Sequence, residues 1–108
     1  MKYVLDLFWS DPDPNNGSGC RKNNARNMAC FFGADITEKF LRRNKFSMLI
    51  RSHQVKENGY AFAHNRKVLT VFSASNYCGG SNSGAILHWF VIVTMIVVFV
   101  CYKNSYFY

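Results

Sequence analysis

A chain of 108 residues has room for one small domain and little stability in hand. Apolar residues make up 49% and aromatics 17%, which excludes a disordered tail. The net charge of +7 collects in the middle of the chain, but no like-charge run is long enough for a nucleic-acid-binding tail and the aromatics lie in apolar runs, so nucleic acid is not an expected partner.

In chain order, residues 3–9 (YVLDLFW) have the apolar, aromatic pattern of a buried strand. The following SDPDPNNGSG is a loop with strong turn chemistry, and residues 20–33 are irregular. Asp35 and Glu38 are spaced as a capping box, and Ile36, Phe40 and Leu41 then fall at helical spacing, which predicts a helix over 36–44. SMLIR (47–51) reads as a short buried strand running into Ser52-His53-Gln54. Asn58-Gly59 predicts a tight hairpin turn, and Tyr60–Ala63 and Lys67–Ser73 predict strands on either side of Asn65-Arg66. Residues 76–84 form a second glycine-rich loop, and no internal repeat occurs.

The four cysteines, at 20, 30, 78 and 101, include no C-x-x-C pair, which argues against zinc and for reduced thiols in an intracellular setting, cytoplasmic or nuclear. The apolar stretch at the N-terminus is broken by Asp6 and too short for a signal peptide. His53 ends a strand, where an imidazole can project into a cleft and offer a nitrogen to a metal. A lone histidine is more often structural, so its neighbours decide the matter.

Those neighbours are LFWSDP at 7–12, NAR at 24–26 followed by Phe32-Gly33, LIRSHQVKENGY at 49–60, FSASNYC at 72–78 and GSNSGA at 80–85. In this order and spacing, from about residue 5 to 86, they resemble the C-terminal part of the catalytic domain of the phosphoprotein phosphatase family. HNRKVLTVFSASNYC and NGSGCRKN most resemble the branch whose members carry EF-hands. The resemblance implies an α+β or α/β fold: part of a metallophosphoesterase-type β-sandwich with a flanking helix. It implies a hydrolase acting on phosphoserine and phosphothreonine proteins through a water activated by two divalent metal ions of the manganese, iron or zinc type.

By the same resemblance His53 is a metal ligand, Arg26 clamps the substrate phosphate, and Tyr77 overhangs it. Asp11 falls on a loop at the cleft edge, where it either holds Arg26 or His53 in place or caps a turn. Asn27 stands where the family usually has glycine, a substitution a left-handed backbone tolerates. The family's G-D-x-H-G, G-D-x-x-D-R-G and G-N-H-E strings do not occur in this chain, nor does an EF-hand loop. One ligand cannot hold two metals, so the chain alone is expected to be inactive.

The family pattern stops at Ala85, which divides the chain into a phosphatase part, 1–85, and a hydrophobic tail, 86–108. Ile86–Tyr102 is apolar over the minimum length of a membrane span, with Trp89 and Tyr102-Lys103 at its ends. A tail anchor, a long buried β-strand and a non-native ending all remain open. The second functional reading is therefore a catalytically dead, membrane-tethered binding module.

Overall fold

The computed structural model describes residues 2–88 and 98–99. They form a mixed α+β arrangement of two helices and two small sheets.

Helix α1 (Lys2–Trp9) lies where the sequence predicts a strand. A strand needs a ladder partner, and no described strand pairs with this segment. A helix closes its hydrogen bonds within itself, continued here by Ser10 N–H to the Asp6 carbonyl (3.1 Å). The cost is exposure: Tyr3 is 87% exposed, and Val4, Leu5, Leu7 and Phe8 are all partly in solvent.

The first sheet comprises β1 (Asp11–Pro12), β2 (Cys20–Lys22) and β3 (Cys30–Phe32), ordered β1-β3-β2. β1 runs parallel to β3 with Asp11 opposite Phe31, and β2 runs antiparallel with Arg21 opposite the same residue. These strands arise in stretches the sequence marks as loop and irregular chain. Two or three residues are too few for an alternating pattern to register. Pro12 is tolerated because β1 is an edge strand, where a missing N–H breaks no ladder.

Helix α2 (Ala34–Asn44) starts two residues before its predicted beginning. Gly33 is its N-cap and no side chain caps it, so the predicted capping box is not formed. Asp35 instead accepts the Gly19 N–H (2.8 Å), and Glu38 receives Lys67 Nζ (2.8 Å). Long-range partners outcompete the local ones. At the other end Lys45 turns left-handed, and Phe46 N–H returns to the Leu41 carbonyl (2.9 Å), closing the helix as a Schellman motif. Thr37 and Leu41 form the buried face.

The second sheet is ordered β5-β6-β4-β7, from β4 (Leu49–Arg51), β5 (Tyr60–Ala63), β6 (Val68–Val71) and β7 (Val98–Phe99). β5 and β6 form the predicted hairpin, turned by His64, Asn65 and Arg66, all left-handed. β4 lies parallel to both β6 and β7. Ile50, Val68 and Leu69 meet Leu41 as the buried aliphatic core of the described residues. His64, also buried, spans the two halves: Nδ1 accepts from Thr37 Oγ1 (2.8 Å), and Nε2–H donates to the Asp13 carbonyl (3.4 Å).

Asn58-Gly59 does not make a hairpin, because β4 and β5 on either side of it are separated by β6. Gly59 N–H closes a turn onto the Lys56 carbonyl (2.9 Å) at φ 75°. A Cβ there would stand 2.6 Å from Ala85 N, so the glycine is needed where residues 84–85 cross over it. The glycine-rich loop 76–84 is present and holds one 3₁₀ turn (Tyr77–Gly79). Buried Asn82 staples it, with Nδ2 to the Ala74 carbonyl (2.7 Å) and Oδ1 accepting Tyr77 N–H (2.9 Å).

Most of the span expected over 86–102 lies outside the described residues. Among the described residues no helix is long and apolar enough to cross a membrane.

Candidate functional site

Asp11 is the meeting point of the site. It is 2% exposed on β1, and its two oxygens serve three side chains. Oδ2 accepts Asn23 Nδ2 (2.8 Å) and Arg26 Nε (2.6 Å). Oδ1 accepts Arg26 Nη2 (3.1 Å) and Arg51 Nη2 (2.9 Å). A buried carboxylate is tolerable only when paired and fully hydrogen-bonded, and this one is.

Arg26 comes from the turn between β2 and β3. Its own N–H rests on Asn23 Oδ1 (3.2 Å), so the Asn23 side chain fixes both the turn and Asp11. Asn27 follows at φ 53°, the left-handed conformation that a glycine would also take. The Arg26 guanidinium stands 5.5 Å from the Trp9 ring centroid and also donates through Nη2 to the His53 carbonyl. Its Nε–Nη2 edge is thus held on Asp11. The side chain stays 18% exposed, and among the described residues Nη1 makes no hydrogen bond.

His53 sits at φ 75°, a strained conformation for a histidine. Its Nδ1–H donates to the Phe8 carbonyl (2.8 Å), and the ring packs at 4.7 Å against Trp9. A carbonyl can only accept, so this contact fixes the tautomer and leaves the Nε2 lone pair for another partner, as metal-ligating histidines are usually held.

Arg51 is the residue that sequence reasoning missed. It is buried on β4 and binds Gln54 Oε1 (2.8 Å), Thr70 Oγ1 (3.2 Å) and Asp11. The signal was present as an arginine inside an apolar strand, a position that demands a buried partner. Burial pushes its pKa down from the ordinary arginine value, against the upward pull of Asp11. Lys56, half-buried nearby, is also shifted down, first by burial and then by the charge of Arg51. Two guanidiniums and an ammonium against one carboxylate leave the region positive.

A second pair flanks the first. Asp13 holds Arg21 through two hydrogen bonds (2.7 and 3.0 Å). That contact, helped by Asn15 N–H, lowers the Asp13 pKa from 3.8 to about 2.

Tyr77 is not brought into the cluster. Its ring lies edge-on to Phe72 (5.2 Å) and its N–H goes to Asn82. Cys20, Cys30 and Cys78 carry free thiols. Among the described residues no three His, Cys, Asp or Glu side chains stand together as metal ligands. His53 alone suits a metal, so these residues do not by themselves make a two-metal site.

No protein-family model matches the chain. Over 85 residues it is 53% identical to serine/threonine-protein phosphatase with EF-hands 2 of Mus musculus, covering 78% of this chain and 11% of that protein. Serine/threonine-protein phosphatase 5 of Rattus norvegicus is 46% identical over 86 residues, 79% of this chain and 17% of that one. Among solved structures, a protein serine/threonine phosphatase from Saccharomyces cerevisiae with similarity to human phosphatase PP5 superposes with a TM-score of 0.61 at 40% identity, over 72% of this chain and 23% of that one. The chain thus spans less than a quarter of the length of each.

Proposed function

Since 78% of this chain is homologous to the serine/threonine protein phosphatases of the EF-hand branch, we propose that residues 1–85 are the phosphate-clamping portion of such a catalytic domain. The substrates are proteins phosphorylated on serine or threonine. Arg26 grips the phosphate with its Nη1 side, Asp11 fixes the angle of the guanidinium, and Arg51 fixes Asp11. The observation that carries this reading is the bidentate Arg26–Asp11 contact on a buried carboxylate, which orients the fork before any ligand arrives.

Hydrolysis belongs to a longer protein with two divalent metals. There, His53 Nε2 would supply one ligand; metal held with the missing ligands would supply an activated water. This chain does not hold the metals and does not turn over substrate. The role over the phosphate given to Tyr77 rests on the resemblance alone, as does the exclusion of 86–108 from the phosphatase part.

Isothermal titration of the full chain with a phosphoserine peptide tests the clamp. Arg26→Ala is expected to weaken binding about tenfold or more, and Arg26→Lys to restore only part of it, because an ammonium cannot hold Asp11 along one edge and present a separate donor to phosphate. Binding indifferent to Arg26→Ala would remove the clamp from the reading. Turnover of the same peptide by the chain with added manganese would remove the claim of inactivity.

A further inference from the structure

A second cavity, about 540 Å³, is lined by Gln54, Lys56, Phe62, Asn65 and Arg66, among others. Its polar groups point to one kind of ligand. Gln54 gives its oxygen to Arg51 Nη1, so its amide NH₂ is the part left to face the cavity. Arg66 is held with its guanidinium 3.9 Å from the Phe62 ring centroid. Among the described residues no carboxylate pairs with either Lys56 or Arg66. The cavity therefore presents donors and two unneutralised positive charges, one of them half-buried, where an anion replaces lost hydration.

We propose that this cavity is a subsite for an anionic side chain, carboxylate or second phosphate, on the same polypeptide that carries the phosphorylated residue. The proposal rests on the phosphatase reading above. Continuity supports it: Arg51 touches Asp11 with Nη2 and Gln54 with Nη1, so one side chain joins the phosphate clamp to the subsite. The subsite would take residues that flank the phosphorylated one, through Lys56 and Arg66. The preference is for acidic or multiply phosphorylated segments over neutral ones.

The test is calorimetric titration of the full chain with four peptides of one length: phosphoserine flanked by two glutamates, the same with glutamines, the same with a second phosphoserine, and the glutamate peptide with plain serine. The glutamate phosphopeptide is expected to bind about fivefold more tightly than the glutamine one, the scale of a partly desolvated ion pair. Lys56→Met combined with Arg66→Met should erase that ratio, and Lys56→Arg should retain it. The doubly phosphorylated peptide tells which anion is preferred, and tighter binding of either supports the subsite. Equal affinity for the glutamate, glutamine and doubly phosphorylated peptides overturns the subsite and leaves the clamp standing. A glutamate preference that persists without phosphoserine and ignores Arg26→Ala overturns the clamp and leaves the subsite. No binding by any peptide overturns both.

Discussion

Asp11→Asn keeps the shape of the carboxyl group and removes the charge that Arg26 and Arg51 share. Arg51 is buried with its remaining partners neutral, so it would be left without a counter-charge. The expected loss is about 3–5 kcal/mol of folding free energy, measured by urea denaturation. Arg51→Met should cost less, because it removes the charge that needs compensating. Asp13 gives a pH signature. Its folded-state pKa is depressed from 3.8 to about 2, so its contribution is complete above 3.8 and disappears as pH falls toward 2. Arg21→Met should flatten the stability curve in that window by lowering stability near neutrality, where the pair is intact, and change little at pH 2, where its contribution is already lost, as followed by far-UV circular dichroism. The family resemblance singled out Arg26 and His53 and offered Asp11 as a partner for either, and the structure pairs Asp11 with Arg26. Arg51 was not legible, because within SMLIR it reads as the polar end of a strand, and only the fold shows that the end is buried.

Elements of three or more turns were easier to read than short ones. Helix α2 was predicted from a capping box and from its spacing, and the spacing was enough, since Ile36, Phe40 and Leu41 mark a face whichever residue caps it. Its cap was misread because Asp35 and Glu38 find partners in Gly19 and Lys67, which no local pattern shows. Segment 3–9 was misread for a similar reason: an apolar run is equally compatible with strand and helix, and pairing decides. Gly59 was noticed for a hairpin it does not make. Its left-handed backbone and the crossing of residues 84–85 make a different demand. Gly59→Ala is expected to lose at least the roughly 1–3 kcal/mol of a forced left-handed residue, plus the clash with Ala85. A thermal melt of the variant beside the parent chain checks it, and unchanged stability would show that residues 84–85 can move away.

For the whole molecule, the balance between buried and exposed surface is unfavourable. The buried aliphatic side chains among the described residues are Leu41, Ile50, Val68 and Leu69, while Asp11, Asp13, Asn23, Thr37, Arg51, His64, Thr70 and Asn82 are buried polar groups. Buried polar networks specify geometry more than they stabilise it. Leu7, Phe8, Ile36 and Phe40 line an open groove of about 270 Å³ instead of a closed core. The full chain is therefore expected to unfold below the ~45–65 °C range of ordinary small domains and to bind a hydrophobic dye before it does. A sharp calorimetric transition within or above that range would contradict this. The mixed α+β class came from the family resemblance, whereas the pairing of the two sheets was not legible, because it joins segments distant in sequence.

The parallel pairing of β4 has a further consequence, for the order in which the chain can fold. β4 leaves the ribosome before either of its neighbours, and no hairpin can deliver a parallel partner. β6 arrives only after the β5 turn is made, and β7 only after nearly the whole chain. Through that interval both edges of β4 are open, while Asp11, synthesised earlier, is already available to Arg51. Pairing β7 with β4 closes the longest loop of this sheet and is its costliest pairing in chain entropy.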